Sequence, residues 1–315
     1  MATEALATRP LAGVRVLDLT NVLAGPFACH QLAHLGAEVI KVEAVGRGDL
    51  ARDLGGDPAL SAKGMGVSFL AQNAGKKSIT LNLKDPRGLE ILNRLVAGAD
   101  VLVENFRPGV MARLGAGYDD LKAANPRLVY CAISGFGQDG PWARRPAYDQ
   151  IVQGVSGVMS VTGDTDSAPL RVGSPLADTV GGLTAAMAIL AALNAPNRGA
   201  FIDVSMLDAV LTTMGWVISN YLVAGVEPVP RGNENPTSAP SGPRADGATY
   251  RHSPRRPWSV PSPTGSPSPP CSAIRSGSRS PRRCNLPRPC PSSPDAGLLV
   301  AGGLLGVVST LLETV

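Results

Sequence analysis

The stretch that decides the fold is residues 13–43, which read GVRVLDLTNVLAGPFACHQLAHLGAEVIKVE. The apolar run at 14–19 predicts a buried strand, residues 26–35 predict a helix, and residues 38–42 predict a second strand. A strand, a helix and a strand in this order are typical of a unit in which the two strands lie parallel. The stretch therefore predicts the opening of a parallel sheet.

The alternation of strands and helices continues to about residue 224. Strands are predicted at 78–83, 100–103, 128–133 and 201–206, and helices at 86–96, 118–124, from Asp178 to about 193, and over 207–224. Pro86 lies in the first turn of its helix, where the missing N–H costs nothing. The pattern predicts an α/β protein with a parallel sheet covered by helices on both faces.

Composition argues for a globular protein that does not bind nucleic acid. The 315 residues are 44% hydrophobic and 17% charged, which is typical of a chain with a packed core. The net charge of +4 is misleading, because residues 243–294 alone carry nine Arg and one Asp, hence +8, and the rest carry −4. A nucleic-acid-binding protein is expected to hold its positive charge on a folded face with aromatic residues between the basic ones.

The cysteines and the first residues indicate the cytoplasm. Five cysteines at no paired spacing cannot form a closed disulfide framework, and Cys29 and Cys131 fall in apolar stretches as buried thiols do. Residues 1–10 carry Glu4 and lack an apolar segment of signal-peptide length. We therefore expect a reducing, cytoplasmic compartment.

The character of the chain changes after residue 242. Residues 243–294 contain 13 Pro, 11 Ser and 9 Arg, a composition that predicts disorder. It fits either a natural tail that binds acidic partners or a reading-frame error in a gene rich in G and C. We favour the frame error, because the change is abrupt. The expected organisation is one α/β part at 1–242, a disordered segment at 243–294 and an apolar segment at 295–315.

Within the last segment, residues 296–312 carry no charge, which reaches the lower limit for a membrane span. Four glycines and the lack of flanking anchors argue against a membrane anchor. We expect a frame artefact or an undocked apolar helix there, and no membrane association.

Two motifs suggest cofactor sites that their context does not support. Residues 135–140, GFGQDG, match the dinucleotide pattern G-x-G-x-x-G, but Pro141 and the residues after it continue a loop where a helix would have to begin. His30 and His34 have the spacing of zinc ligands on a helix, but the zinc-protease glutamate is replaced by Gln31 and no third ligand is evident. We therefore expect a glycine turn, two partly buried histidines, and neither a metal nor a tightly bound cofactor.

Several short phrases are more specific in combination than any of them alone. The phrases are GVRVLDLT at 13–20, LAGP at 23–26, LGAEVIKVE at 35–43, LNLK at 81–84, VENFRPG at 103–109, YD at 148–149 and PLADTVGG at 175–182. In this order they resemble the family III CoA-transferases, which include formyl-CoA transferase and carnitine CoA-transferase and are similar to α-methylacyl-CoA racemase. The resemblance covers about residues 10–242.

The resemblance implies a fold, a partner and a mechanism. The fold is a Rossmann-like large domain with an open parallel sheet, built from both ends of the chain, with a small domain between and two interlocked subunits in a homodimer. The substrates are an acyl-CoA thioester and a carboxylic acid acceptor. A carboxylate attacks the thioester to give a mixed anhydride, and the released CoA thiolate then forms an aspartyl-CoA thioester. In this sequence the nucleophile falls on Asp178.

The position of Asp178 also fits the chemistry. At the start of the long apolar helix, the dipole and unpaired backbone N–H groups would hold the carboxylate ionised and suit an oxyanion. Gly181 and Gly182 would allow close approach of substrate and backbone. The simpler alternative is that Asp178 is only the N-cap of the helix, a role compatible with the first.

The resemblance further implies CoA-binding residues, together with two departures from the family. Because CoA carries three phosphates, basic residues at strand ends suit it, although Lys84 and Arg113 are equally well explained as solvated surface charges. The departures are Ala44 in place of a phosphate-region arginine and the lack of the glycine-rich loop that closes over the nucleophile; the small domain and the returning C-terminal helices are also missing. The implied CoA contacts are Leu23, Ala24, Leu81, Lys84, Asn105, Phe106, Arg107, Arg113 and Tyr148.

Three functions stay open from the sequence. The first is an acyl-CoA:carboxylate CoA-transferase, the second a racemase related to it, and the third an inactive truncated or frame-shifted member. A racemase of this family pairs its aspartate with a histidine 30 positions earlier, where this chain has Tyr148. A phenol with a pKa near about 10 is a poor base at neutral pH. The sequence therefore favours the transferase, without naming the acyl group.

Overall fold

The computed structural model describes residues 9–232. The expectations for the segments 243–294 and 295–315 lie outside the described residues. All structural statements below concern residues 9–232.

The core of the structure is a sheet of six parallel strands. Every pair of neighbouring strands runs in the same direction, and the strand order is β3-β2-β1-β4-β5-β6. This confirms the predicted parallel α/β architecture and its Rossmann-like order. The strands that follow β1 are added on one side of it as far as β3, and those from β4 onward are added on the other side. This reversal of strand order opens a crevice at the carboxyl ends of β1 and β4. The strands are β1 Arg15–Leu19, β2 Glu38–Glu43, β3 Lys77–Thr80, β4 Val101–Glu104, β5 Val129–Ser134 and β6 Ala200–Ser205.

Helices cover both faces of the sheet. The helices are α1 Ala24–His34, α2 Pro58–Ser61, α3 Val67–Asn73, α4 Pro86–Val96, α5 Val110–Arg113, α6 Tyr118–Ala124, α7 Asp149–Val155, α8 Leu176–Asn194, α9 Met206–Thr213 and α10 Gly215–Ala224. Two single-turn 3-10 helices lie at Leu50–Asp53 and Val158–Val161.

Alternate residues of the central strands pack into two separate cores. Val16 of β1 faces a core built with α1 and α8, and the next residue, Leu17, faces a core built with α4, α5 and α6. The long apolar helix α8 lies on the first of these faces, and half of its apolar stretch is buried. Cys29 and Cys131 belong to the same core, and burial raises the pKa of both thiols, as expected for buried cysteines.

The structure corrects the prediction at two helices. The predicted helix 207–224 is two helices, α9 and α10, which meet at Met214 with a bend of 69°. The long helix begins at Leu176 rather than at Asp178. By length and composition alone, α8 could cross a membrane, and so could the bent pair if it formed one span.

Glycine allows α8 to pack closely against α1. A Cβ atom at Gly182 would lie 2.6 Å from the carbonyl oxygen of Ala24 and 2.9 Å from the ring of Phe27. At Gly181, a Cβ would lie 2.9 Å from the side chain of Met206. Both glycines therefore serve contacts between helices, and a close approach of substrate at these positions stays a prediction.

Candidate active site

The crevice between β1 and β4 contains a cavity of about 300 Å³. Its wall is formed by the loops that follow β1, β4 and β5, together with the first turn of α8. This is the place where open parallel sheets bind ligands, because the loops at the carboxyl ends diverge where the strand order reverses.

The cavity brings together seven of the ten residues that the sequence singled out. They come from four segments far apart in the chain. The seven are Leu23, Ala24, Asn105, Phe106, Arg107, Tyr148 and Asp178.

Three of the implied CoA contacts lie outside the cavity wall. Leu81 follows β3, donates its backbone N–H to the carbonyl of Glu43 at 2.9 Å, and packs on the second core. Lys84 is exposed, and Arg113 is exposed at the end of α5 with its guanidinium beside Gly109. Leu81 and Lys84 nevertheless follow a strand whose carboxyl end lies at the same edge of the sheet as the cavity.

Asp178 lies in the first turn of α8, two residues after the first residue of the helix. The N-cap position is Pro175, so the alternative role of Asp178 as N-cap is wrong. The helix instead receives its cap from outside: Asp149 Oδ1 accepts hydrogen bonds from the backbone N–H of Ala177 at 2.7 Å and of Asp178 at 3.4 Å. Asp149 is buried and was not recognised from the sequence as a site residue.

The first N–H groups of α8 are therefore already paired. Leu176 donates to the carbonyl of Ser174 at 2.8 Å, Thr179 donates to that of Pro175 at 3.0 Å, and Ala177 donates to Asp149. The expected unpaired donors for an oxyanion are not found at this helix terminus. The sequence could not reveal this, because Asp149 and Ala177 are 28 positions apart.

The electrostatic surroundings of Asp178 raise its pKa to about 6. Burial is the largest cause, and the nearby carboxylate of Asp149 adds to it. The backbone N–H of Ala24 acts in the opposite direction by hydrogen bonding to the carboxylate. Asp178 is thus a carboxyl group that changes its charge close to neutral pH, as expected of groups at reactive sites.

Asp149 is itself fixed by Gln153, one turn later in α7. The side-chain amide of Gln153 donates to Asp149 Oδ2 at 2.7 Å, and its Oε1 accepts the backbone N–H of Val172 at 2.8 Å. One glutamine therefore joins the capping carboxylate to the loop that leads into α8.

The loop after β1 has an unusual backbone conformation at the cavity wall. Val22 has φ 66°, in the left-handed region that valine rarely adopts. Its neighbour Asn21 forms two hydrogen bonds with Asn105. The backbone N–H of Asn21 donates to Asn105 Oδ1 at 2.8 Å, and the side-chain amide of Asn105 donates to the carbonyl oxygen of Asn21 at 2.8 Å. These bonds tie the loop after β1 to the loop after β4 across the floor of the crevice.

Two arginines give the cavity wall positive charge. Arg107 and Arg145 both line the cavity and both are exposed, and Arg145 lies over the ring of Trp142 at 4.7 Å. Arg145 was not singled out from the sequence. Neither arginine is among those that form ion pairs within residues 9–232, which are Arg15, Arg47, Arg52, Arg87 and Arg198.

Only the glycine motif follows the expected local structure. Gly137 has φ +84° and lies in an irregular segment, where the N–H of Gln138 donates to Asp203 Oδ2 at 2.8 Å. The rings of His30 and His34 lie 4.0 Å apart, but His30 is buried and His34 is exposed, so the prediction that both are partly buried is wrong. Burial lowers the pKa of His30. Within the described part of the chain, no group of three His, Cys, Asp or Glu side chains could hold a metal ion.

Comparison with known proteins points to one family. The family model described as CoA-transferase family III matches residues 11–246. The chain is 44% identical over 246 residues to the succinate–glutarate CoA-transferase of Agrobacterium fabrum, covering 76% of this chain and 62% of that protein. It is 46% identical over 242 residues to the acetyl-CoA:oxalate CoA-transferase of Acetobacter aceti, covering 76% and 61%.

Solved structures agree with this. A CAIB/BAIF family protein from Brucella suis superposes with a TM-score of 0.67 at 38% identity, covering 73% of this chain and 62% of the other. The chain spans about half to three fifths of the length of the curated relatives that it matches. The matched residues include the whole described sheet and the crevice with Asp178, and the chain belongs to CoA-transferase family III.

Proposed function

We propose that this chain is an acyl-CoA:carboxylate CoA-transferase that works through an aspartyl-CoA thioester on Asp178. The observation that carries the proposal is the position of Asp178: a partly buried carboxyl in a cavity at the carboxyl ends of β1 and β4, with a pKa of about 6. A carboxylate with this pKa is mostly ionised at neutral pH and is less stabilised than an exposed one, which suits a nucleophile.

The reaction proceeds in two matched halves. A carboxylate oxygen of Asp178 bonds to the thioester carbon and the C–S bond breaks, giving an acyl-aspartyl anhydride and CoA thiolate. The thiolate then bonds to the aspartyl carbonyl and displaces the donor acid as its carboxylate. The acceptor carboxylate repeats the sequence in reverse, so that CoA leaves on the acceptor and Asp178 is regenerated.

The cavity wall supports a role for Leu23, Ala24, Asn105, Phe106, Arg107 and Tyr148 in holding the acyl-CoA. These residues surround Asp178 and supply apolar surface, amide groups, a guanidinium and a phenol. The Ala24 backbone N–H lowers the pKa of Asp178 against the effect of burial, which supports this amide as the donor that stabilises charge there. We further propose that Leu81, Lys84 and Arg113, which lie outside the cavity wall, contact the part of CoA that is distant from the thioester.

We propose dicarboxylic acids as substrates. Relatives named for succinate, glutarate and oxalate share 44% to 46% of their aligned residues with this chain. The second carboxylate of such an acid needs a cation, and Arg145 and Arg107 lie in the cavity wall.

We also propose a homodimer. Apolar side chains on α8 and α10 are exposed in the described part of the chain, as surfaces covered by a second subunit would be. They are Leu183, Met187, Trp216, Leu222 and Val223. Sedimentation of the 315-residue protein measures this directly, and a monomer at all concentrations would contradict it.

The experiment that tests the function uses the full chain with succinyl-CoA and glutarate or oxalate. We expect CoA transfer, and hydroxylamine added during turnover should convert Asp178 to a hydroxamate that peptide mass spectrometry locates. Asp178→Asn and Asp178→Ala should abolish both, whereas Asp166→Asn, at an exposed turn, should change neither. Near-full transfer by Asp178→Asn would contradict the covalent mechanism. Deuterium uptake at the α-carbon of a 2-methylacyl-CoA, as fast as CoA transfer, would favour the racemase.

A further inference from the structure

Val22 is held in a backbone conformation that its own side chain disfavours. Its φ of 66° lies in the left-handed region, where a β-branched residue is a genuine outlier. Such a conformation persists only where surrounding contacts enforce it, and it is found preferentially at functional sites. Val22 lies in the cavity wall, two residues before Ala24.

The contact that enforces it is a buried carboxylate from the loop after β2. Asp49 Oδ1 accepts the backbone N–H of Val22 at 3.0 Å and that of Ala51 at 2.9 Å. Asp49 is completely buried, and its own N–H donates to Glu43 Oε2 at 2.9 Å. Asp49 does not itself line the cavity.

Lys41 fixes Asp49 and the loop together. The Lys41 ammonium is buried, lies 2.9 Å from Asp49 Oδ2, and donates to the carbonyl oxygen of Thr20 at 2.7 Å. Burial disfavours the charge of Lys41, but the carboxylates of Asp18 and Asp49 prevail and raise its pKa. Lys41 therefore holds the loop by its hydrogen bond to residue 20, and Asp49 holds it by its hydrogen bond to residue 22.

Residues 20–22, which Lys41 and Asp49 hold, are followed by the part of the cavity wall beside Asp178. After Val22 come Leu23 and Ala24, which line the same cavity as Asp178. The helix of Asp178 packs directly on this segment, because a Cβ at Gly182 would lie 2.6 Å from the Ala24 carbonyl oxygen. The next residue is Gly25, where a Cβ would clash with the side chain of Thr20, so the loop folds back tightly on itself. A relaxation of Val22 toward negative φ would rotate the following peptide units and displace Leu23 and Ala24 from the cavity wall beside Asp178.

We propose that Asp49 is a positioning residue of this site: by binding the Val22 N–H it holds Val22 in the left-handed conformation that places Leu23 and Ala24 in the cavity wall beside Asp178. This inference rests on the proposed function of Asp178. It assigns to the buried Lys41–Asp49 pair a role in the geometry of the reaction, in addition to its role in packing.

The test removes both members of the pair, because Asp49→Ala alone would leave a buried ammonium with one close partner fewer. The 315-residue protein carrying Lys41→Met and Asp49→Ala is compared with the parent. We expect amide hydrogen exchange over residues 20–24 to accelerate, and kcat for CoA transfer to fall, by about tenfold each. Adding Val22→Gly should restore part of kcat, because glycine adopts positive φ without an anchor.

The matched control is Arg47→Gln with Asp53→Asn, which removes an exposed ion pair from the same loop and should change neither quantity. A folded Lys41→Met, Asp49→Ala protein with parental exchange and kcat would overturn the proposal, as would a kcat loss that Val22→Gly leaves unchanged. If the parent protein transfers no CoA, the proposed function fails, and the exchange rates over residues 20–24 still decide whether Asp49 holds the loop.

Discussion

The carboxylate of Asp149 lies 2.7 Å from the backbone nitrogen of Ala177, the residue immediately before Asp178. Asp149 thus caps α8, and Asp178 lies in the first turn of that helix. The cap fixes the direction of that turn, while its negative charge helps to raise the pKa of Asp178. The same neighbouring group therefore fixes the position of the proposed nucleophile and adds to the effect of burial, which is the largest cause of its raised pKa.

The first prediction concerns pH. Asp178 attacks only as carboxylate, and its pKa of about 6 means that kcat/KM for CoA transfer should rise with pH up to about 6 and level off above it. Asp149→Asn keeps an oxygen that can accept the Ala177 N–H but removes the charge, so the midpoint should move to lower pH. A pH–rate profile of both proteins measures this, and an unchanged or higher midpoint in the variant would contradict the role of Asp149.

The second prediction concerns the packing of α8 on α1. Gly182→Ala should lower the free energy of unfolding by about 1–3 kcal/mol, because the added methyl would meet the Ala24 carbonyl at 2.6 Å. It should also reduce CoA transfer, since Ala24 lines the cavity that contains Asp178. Gly215→Ala is the control: nothing lies within 4 Å of a Cβ there. Equal stability of the two variants in denaturant titration would count against the contact.

The third prediction concerns the ion pair between Glu43 and Arg52. Burial opposes ionisation of Glu43, but two hydrogen bonds of 2.7 Å from Arg52, with help from Ser78 and the Asp49 N–H, lower its pKa from 4.5 to about 2. A depressed carboxyl pKa stabilises the fold above pH 4.5, and this contribution is lost as pH falls toward 2.

Glu43→Gln should therefore cost about 3 kcal/mol of unfolding free energy at pH 7. The difference from the parent should narrow as pH falls below 4.5. Glu90→Gln, on the exposed face of α4, provides the comparison and should behave like the parent. Urea titrations at several pH values measure the differences, and a gap that stays constant with pH would show that Glu43 acts through shape rather than charge.

The fourth prediction concerns acceptor choice. Arg145→Gln should raise KM for a dicarboxylic acceptor by about tenfold and change KM for a monocarboxylic acid much less, because a charge-assisted hydrogen bond is lost only with the former. The neighbouring Arg144 is exposed and does not line the cavity, so Arg144→Gln should leave both constants unchanged. Equal effects of Arg145→Gln on the two acids would exclude it as the residue that binds the second carboxylate.

Much of the sheet could be predicted from the sequence, because its strands are apolar runs bounded by polar or glycine-rich turns. The predicted strand at 128–133, for example, is shifted by one residue from Val129–Ser134. The break between α9 and α10 is marked only weakly, by Thr212, Thr213 and Gly215 within an otherwise apolar stretch, and a single glycine is also tolerated inside a continuous helix. Most of the helices of four to seven residues, such as α2 and α7, are too short to show a helical period, although the seven-residue α6 is predicted at 118–124.

Residues of the site could be predicted where they belong to one of the phrases shared with the family, as Asp178 and Asn105 do. The supporting contacts could not, because they join segments distant in the chain. Asp149 reaches Ala177 across 28 positions, and Asp49 reaches Val22 across 27. No local pattern marks Asp49, and the YD phrase at 148–149 contains Asp149 without indicating that it caps a helix. The role of each aspartate is evident only when the topology of the sheet brings its loop to the crevice.

The strand order described above also has a consequence for biosynthesis. The cavity wall draws on residues from Asn21 to Met206, and Met206 directly follows β6, the last strand of the sheet to be synthesised. A nascent chain that has emerged only as far as β5 holds Asn105 but lacks Tyr148, Asp178 and the helix that carries Asp178. The chain adds Asp178 with α8 before it adds β6, and the cavity wall is complete only once synthesis has passed β6 and reached Met206.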